Sequence, residues 1–375
     1  MVVKNQLVGA DSLADIDRVR LAMAEAGIDA LVASSRRNVL YLANFPGFDY
    51  LIEPEATSFV VLPRRAESEP ELITSMSERL LPLYVPSWVH RVRCFGSYHI
   101  VGAPPYEGRP YQSAHDALAA SLTELGVEAG QVAFELDLLP VRDLEAITSR
   151  LPGLAVADAS RLLGRLRRVK TPVEVSRVRR AVEITERAIE AGFEQLHEGM
   201  TGLELGQRIS AAVVGEGAEV VYCQVGFNGH GSMGVAYPTE QKLHDGDLVR
   251  VDVSASYLGY HSDIGRNCVF GSATSELRRL YDVTYGALQA GIDAAVPGAT
   301  AGQVFEAALD VPRRTGLTDF RRHHVGHGIG LQAHEAPLLK PGATDVIEPG
   351  MVLAIEAPYY LYGVAAFSPE DIGVV

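Results

Sequence analysis

The heptapeptide GDLVRVD at residues 246–252 returns in altered form as GMVLAIE at 350–356: a glycine, an alternating apolar run, and an acid six residues on. Alternation of this kind reads as a strand with one buried face, and the glycine as the turn that starts it. The closing acids, Asp252 and Glu356, then occupy the same register of two related strands. The duplication extends further upstream. Residues 179–201 align with 278–300 at a constant offset of 99, with identical pairs Arg179/Arg278, Arg180/Arg279, Thr185/Thr284, Ala188/Ala287, Ala191/Ala290, Gly192/Gly291, Gly199/Gly298 and Thr201/Thr300. Both copies end in a helix stop followed by a capping box, Thr201 with Glu204 and Thr300 with Gln303. Each half is expected to be a long helix, a turn, a second helix and then the acid-bearing strand.

Each half also offers a second acid: Asp263 lies eleven residues beyond Asp252, and Glu370 fourteen beyond Glu356. Packed about a pseudo-twofold axis, the halves bring four carboxylates together. Such a cluster needs compensation, because like charges a few ångströms apart drive one another toward protonation. Two divalent cations supply it. With one histidine added, the donor set is oxygen-rich, which favours Mn²⁺, Co²⁺ or Fe²⁺ over the sulfur- and nitrogen-rich sites of structural zinc. Such a pair lowers the pKa of a bridging water toward ~7 and polarises the carbonyl it attacks, which is amide hydrolysis by a metal-bridging hydroxide.

The histidine is sought in HHVGHGIGLQAHE, residues 323–335. His327 and His334 are seven apart, so they do not form the HExxH pair of a zinc-protease helix. Glycines at 326, 328 and 330 argue for backbone that bends or lets something approach closely.

At 375 residues the chain is too long for one core. Thr171-Pro172-Val173-Glu174 starts a long helix with a capping box, and Val178, Val182, Thr185, Ile189, Phe193 and Leu196 share its inner face. The boundary therefore falls between 161 and 171, giving domains of 1–165 and 166–375. In the first, Ile16, Val19 and Met23 mark a helix ended at Gly27, and residues 29–34 a strand. Further strand-like runs are VLYLANF (39–45), SFVVLP (58–63) and QVAFEL (131–136), with helices near 113–125 and 140–151, hence an α/β domain. The composition, 21% charged and 47% hydrophobic, is that of a soluble globular protein. No apolar run is long enough to span a bilayer, and the N-terminus carries acids where a signal peptide has its apolar core, so a cytoplasmic protein without a membrane partner is expected. Three cysteines without a CxxC pair read as free thiols. A net charge of −14 speaks against nucleic acid as a partner.

The segments GDLVRVDVSASYLGYHSDIGRN (246–267), GHGIGLQAHE (326–335), PGMVLAIEAP (349–358) and PED (369–371) together resemble the signatures of the pita-bread metallopeptidase family, which includes prolidase, aminopeptidase P, methionine aminopeptidase and creatinase. The spacing is most similar to that of short prokaryotic Xaa-Pro dipeptidases, and GIDALVASSRRNVLYLANF (27–45) resembles the creatinase N-terminal domain. The resemblance implies an α/β (α+β) chain: a creatinase-like N-terminal domain followed by a pita-bread catalytic domain with an internal pseudo-twofold repeat. It implies two divalent ions, Mn²⁺ or Co²⁺ first and Zn²⁺ or Fe²⁺ also compatible. Asp252 would chelate one ion, Asp263 and Glu370 would bridge both, and His327 and Glu356 would bind the other. Glu356 would double as general base. His334 would donate to the reacting carbonyl or shuttle a proton and, with His323, line the substrate pocket, while His324 is assigned to packing. A homodimer acting on a small peptide or small amide is implied as well.

The substrate shell departs from the family pattern. Val235 stands where a substrate-contacting histidine is usual, and Leu338 where many prolidases have an arginine. Ser254 replaces a glycine, and Gly265 and Asn267 replace threonines. Val235 and Leu338 raise the alternative of a hydrolase for a small non-peptide amide or cyclic amidine, as in creatinase or ectoine hydrolase. A non-catalytic binding protein is the third reading.

Overall fold

The structure is a computed structural model that describes residues 12–53, 58–85 and 87–375. Residues 1–11 of the N-terminal stretch that the sequence reading set against a signal peptide lie outside the described residues. The chain divides into two compact units at Arg167 and Arg168.

The first unit is built on a six-stranded mixed sheet of order β4-β3-β2-β1-β5-β6. Its strands are β1 (Ala30–Ala33), β2 (Phe59–Pro63), β3 (Glu71–Ser75), β4 (Arg91–Phe95), β5 (Gln131–Phe134) and β6 (Ala155–Asp158). Among the described residues, α-helices accompany it: α1 (Ile16–Glu25), α2 (Arg36–Ala43), α3 (Asp49–Ile52), α4 (Ala114–Glu124), α5 (Val141–Arg150) and α6 (Ser160–Arg168). The run VLYLANF is thus a helix rather than a strand. A short apolar run cannot be assigned by periodicity alone, and local hydrogen bonding decides it here. Ser35 caps the helix by accepting from the Asn38 amide. The fully buried Glu135 carboxylate accepts from the amides of Ser34 and Ser35 at 2.6 and 2.9 Å and from the Asn38 side chain at 2.5 Å. These donors hold the first turn in place.

The second unit repeats one plan twice. In its first half, helices α7 (Pro172–Glu194) and α8 (Gly202–Gly215) lead to β7 (Glu219–Phe227), the single turn α9 (Asn228–Gly231), β8 (Leu248–Tyr257), β9 (Tyr260–His261) and β10 (Ile264–Val269). The second half begins with α10 (Ser275–Ala294) and α11 (Ala301–Arg314). It continues with β11 (Gly326–Gly328), β12 (Glu335–Leu338), β13 (Val352–Glu356), β14 (Tyr359–Leu361), β15 (Ala365–Phe367) and β16 (Glu370–Val374). The sheet of the first half runs β10-β8-β7, and that of the second β12-β11-β13-β16. The central strands β8 and β13 are the two copies of the repeated heptapeptide. Their caps match too: the Thr201 side chain accepts from the Glu204 amide, and Thr300 makes the full capping box with Gln303.

Strand alternation separates structure from chemistry. Val249, Val251 and Val253 of β8 pack with Ile184, Ala188, Leu205 and Ile209 of their helices. Leu353 and Ile355 of β13 pack with Leu280, Ala287, Phe305 and Leu309 of theirs. Because successive side chains point to opposite faces, Arg250 and Asp252, like Glu356, project from the face away from the helices. Each half therefore has its own helix-covered core and offers its polar face to the site.

The glycines of HHVGHGIG serve the strand packing. A Cβ at Gly326 would stand 2.2 Å from the Ala354 carbonyl oxygen, and one at Gly328 2.4 Å from that of Ala336. The close approach expected near these glycines is made by neighbouring strands. A second tight seam joins the halves. A Cβ at Gly265 would lie 2.2 Å from the Ser368 carbonyl oxygen and 3.2 Å from Cβ of Glu370. Asn267 reinforces that seam: its Nδ2 donates to the Val249 and Ala366 carbonyls at 3.3 and 3.0 Å, and its Oδ1 accepts from the Ser368 amide at 2.7 Å.

Gly265→Ala is expected to destabilise the protein by about 1–3 kcal/mol, as overpacking of a tight core does, with a lower urea midpoint as the readout. A midpoint equal to wild type would show that the seam yields freely.

Candidate active site

The repeated strands place four carboxylates within one region. Asp252 pairs with Gly265 across β8 and β10, and Glu356 with Glu370 across β13 and β16. Asp263 immediately precedes β10 and Glu370 opens β16, and both are almost fully buried. Among the described residues, two trios bring their donor atoms within 4.8 Å of one another: Asp252, Asp263 and Glu370, and Asp263, His327 and His334. Asp263 belongs to both.

Glu356 is held differently. Its Oε1 lies 3.0 Å from Nδ1 of His324 and accepts from Arg322 at 3.3 Å. His324, assigned to packing by sequence, therefore touches the acid expected to act as base. His334 is largely exposed, with its ring stacked on His327 at 3.8 Å between centroids. His323 is exposed at the edge, its ring 4.3 Å from that of His324. Leu338 stands directly across from His327 in the pairing of β11 with β12, and Val235 is 60% exposed. Both lie on segments beside the site.

Sequence reasoning missed four further partners. Tyr222 donates to Asp263 through its hydroxyl, which burial first and then the surrounding carboxylates keep protonated. Gln224 donates to Asp252 at 3.3 Å and accepts from the Ala236 amide at 2.9 Å, tying the segment that carries Val235 to the site. Arg250 donates to Asp252 at 3.0 Å, and Arg322 reaches Glu356. Arg250 could have been found, since alternation puts it on the same face as Asp252 two residues later. Arg322, on the irregular segment before β11, carries no such periodic signal.

Burial and neighbouring charges set the electrostatics of the site. Burial raises Asp252, with Glu356 adding to the shift and Arg250 opposing it. Asp263 and Glu370 lie well above the ordinary carboxylate range, first because of burial and then because of neighbouring acids. Burial also works against ionising Glu356, but the His324 contact and Arg322 outweigh it and hold its carboxyl low. His327 is pushed down to about 4, mainly by burial and then by His334. Burial lowers His334 and His323 as well, with His324 adding to both.

These groups fit a pair of divalent ions. Nδ1 of His327 lies 3.1 Å from the Gly328 carbonyl oxygen, so the proton sits there and Nε2 presents its lone pair. That lone pair faces Oδ2 of Asp263 at 3.8 Å, with Nε2 of His334 at 3.9 Å from the same oxygen. Groups at such distances could together hold a cation. Oδ1 of Asp252 is buried with no hydrogen-bond partner within 3.5 Å among the described residues, which leaves it able to serve as a further ligand atom.

Comparison with known proteins matches residues 176–375 to metallopeptidase family M24 and residues 16–169 to the creatinase/prolidase N-terminal domain. The chain is 32% identical over 364 residues to a probable dipeptidase PepE of Mycobacterium tuberculosis, covering 94% of this chain and 89% of that protein. It is 33% identical over 251 residues to a Xaa-Pro dipeptidase of Lactobacillus helveticus, covering 65% and 67% of the two chains. The solved Xaa-Pro dipeptidase from Bacillus anthracis shares the fold, with a TM-score of 0.81 at 24% identity over 96% of this chain and 94% of that one.

The buried acids make a stability prediction. Glu370 is raised above its ordinary 4.5 in the folded state, so its stabilising contribution is present at low pH and lost as pH rises through the folded value. Metal-free Glu370→Gln should therefore melt above wild type at pH 8, by about 2–4 °C per kcal/mol of repulsion relieved, and converge with it toward pH 4–5. The same variant should bind less metal. Equal melting temperatures at pH 8 would show that the site disperses its charge in another way.

Proposed function

The chain belongs to metallopeptidase family M24, and from that premise we propose that it is a two-metal dipeptidase of the Xaa-Pro type. The observation that carries the reading is the pair of donor trios sharing Asp263, with the His327 lone pair aimed at its carboxylate. Asp252, Asp263 and Glu370 would hold one ion. Asp263 and His327 would hold the other, with Glu356 completing its donors. Mn²⁺ or Co²⁺ suits this oxygen-rich set. When bound, the ions supply Lewis acidity, polarising the scissile carbonyl and making water acidic enough to react near neutral pH.

The remaining steps fall to the chain's own residues. Glu356, kept ionised by His324 and Arg322, accepts the proton of the attacking water at a carboxylate oxygen. That proton then leaves Glu356 and, relayed through Nε2 of His334, exposed beside Asp263, protonates the departing amine, which returns both side chains to their starting states. Val235 and Leu338 supply apolar surface suited to the pyrrolidine ring of proline. The relatives matched over most of their length are named dipeptidases, which favours a peptide over the non-peptide amide or cyclic amidine and over a binding protein. Among the described residues no helix is long and apolar enough to cross a membrane. A homodimer working in the cytoplasm completes the reading.

Protein reconstituted with Mn²⁺ should carry roughly two equivalents per chain by elemental analysis, fewer in Asp252→Asn, and should hydrolyse Ala-Pro. His334→Ala should retain the metal but lose ~10²-fold or more in kcat. Absence of metal uptake, or metal-loaded protein inert toward Xaa-Pro dipeptides, would sink the proposal.

A further inference from the structure

A proton relay through His334 needs the imidazole to stand in one place, yet little around the side chain itself holds it there. The side chain is 62% exposed, and its ring rests on that of His327. Its placement therefore falls to the backbone that carries it. Residues 329–334 join β11 to β12 as an irregular loop. Strand pairing alone does not fix the span of that loop: Gly328 pairs with Glu335 while His327 pairs with Leu338, so the register slips at its base.

Lys170 closes the base. Its side chain is 1% exposed, and its ammonium pairs at 3.2 Å with Oε2 of Glu335, the residue immediately after His334. At the other end of the loop, a Cβ added to Gly330 would meet Cε of Lys170 at 3.0 Å and the same Glu335 oxygen at 3.1 Å. One side chain thus lies against the start of the loop and grips the residue that follows its end. The Gly330 carbonyl is held as well, accepting from the His261 amide at 2.8 Å. Lys170 is fixed in turn. Its amide donates to the carbonyl of Gly350, the glycine that starts the second heptapeptide, at 2.9 Å, and Nζ donates to the Arg168 carbonyl at 3.2 Å.

A second acid backs the ammonium. Glu174 is buried on the first turn of α7, where it accepts from the Thr171 amide at 2.8 Å and from the Tyr260 hydroxyl at 3.1 Å. Burial pushes its carboxyl up to about 7, against the Thr171 amide and the charge of Lys170. Glu335 is therefore the chief counter-charge. A buried pair of this kind adds little net stability, because apolar side chains of similar volume do as well. What it supplies is a fixed separation between two backbones, and neither of its members belongs to the donor trios of the site.

We propose that the Lys170–Glu335 pair is a clasp that closes the loop 330–335 and positions the His334 imidazole for its proton transfer. This rests on the dipeptidase reading, in which His334 relays the proton. Lys170 and Glu335 are positioning residues, acting through the imidazole.

The test uses the full-length protein. Removing Lys170 alone would strand Glu335 as a buried charge, so the working variant is Lys170→Met with Glu335→Gln, which removes both charges together. In metal-free protein, amide hydrogen exchange of residues 331–334 should be at least ~10-fold faster in that variant than in wild type, with α8 and α10 unchanged. After loading with Mn²⁺, metal content and KM for Ala-Pro should stay within about twofold of wild type while kcat falls ~10-fold or more, as displacement of a catalytic group does. In a His334→Ala background the same two changes should cost less than about twofold in kcat, because residues that act through His334 then have nothing to act on. A merely structural pair would give the full loss in both backgrounds. Unchanged exchange at 331–334, faster exchange that spreads to α8 and α10, an unchanged kcat, or a loss of full size without His334 each overturns the clasp. If Mn²⁺-loaded wild type does not hydrolyse Ala-Pro, the dipeptidase reading falls by itself, and the exchange comparison decides whether the pair holds the loop.

Discussion

Asp263 and Glu370 are buried beside Asp252, and the second unit is organised around that repulsion. An ionised carboxylate taken out of water is costly, and three together are tolerable only with partners or counter-charges. Among the described residues, polar side chains that reach these acids answer this need: the Tyr222 hydroxyl and Gln224 amide as donors, the guanidinium of Arg250 as a cation, and the imidazoles of His327 and His334 close to Asp263. The arginine contacts to Asp252 and Glu356 hold those two acids in position before any metal arrives.

Duplication is an economical route to such a centre. One half contributes Asp252 and Asp263, and the other Glu356 and Glu370, each pair set on a central strand and its neighbour. Each half buries its apolar strand face under its own helix pair, so neither core depends on the acids. The acids are met only where the two polar faces join, at the seam of Gly265, Asn267 and Ser368. That division lets a stable scaffold carry an electrostatically costly site, in keeping with the general separation of packing from chemistry in enzymes.

What could be read from sequence follows from the same division. The repeated heptapeptide and the matched helix pairs announced the two halves, because periodicity and capping are local. Asp252 and Glu356 were legible because the heptapeptide that ends in them repeats, and Asp263 and Glu370 because each half carries a second acid shortly after, eleven and fourteen residues on. VLYLANF was not, since its helix depends on Glu135, almost a hundred positions away, capping Ser35 and Asn38. The same holds for the contact of His324 with Glu356 and of Tyr222 with Asp263: they join residues far apart in sequence, so only the folded register brings them together. The glycines near His327 were correctly read as sites of close approach, but which atoms approach them is a property of strands β12 and β13.

Gln224 carries a consequence beyond the chemistry. Its amide donates on one side to Asp252 and accepts on the other from Ala236, so its orientation is fixed by both at once. Donor and acceptor cannot be exchanged without breaking both bonds. Variation in the segment around Val235 is therefore transmitted to the Asp252 carboxylate, and changes at Ala236 that spare Asp252 must go around one side chain.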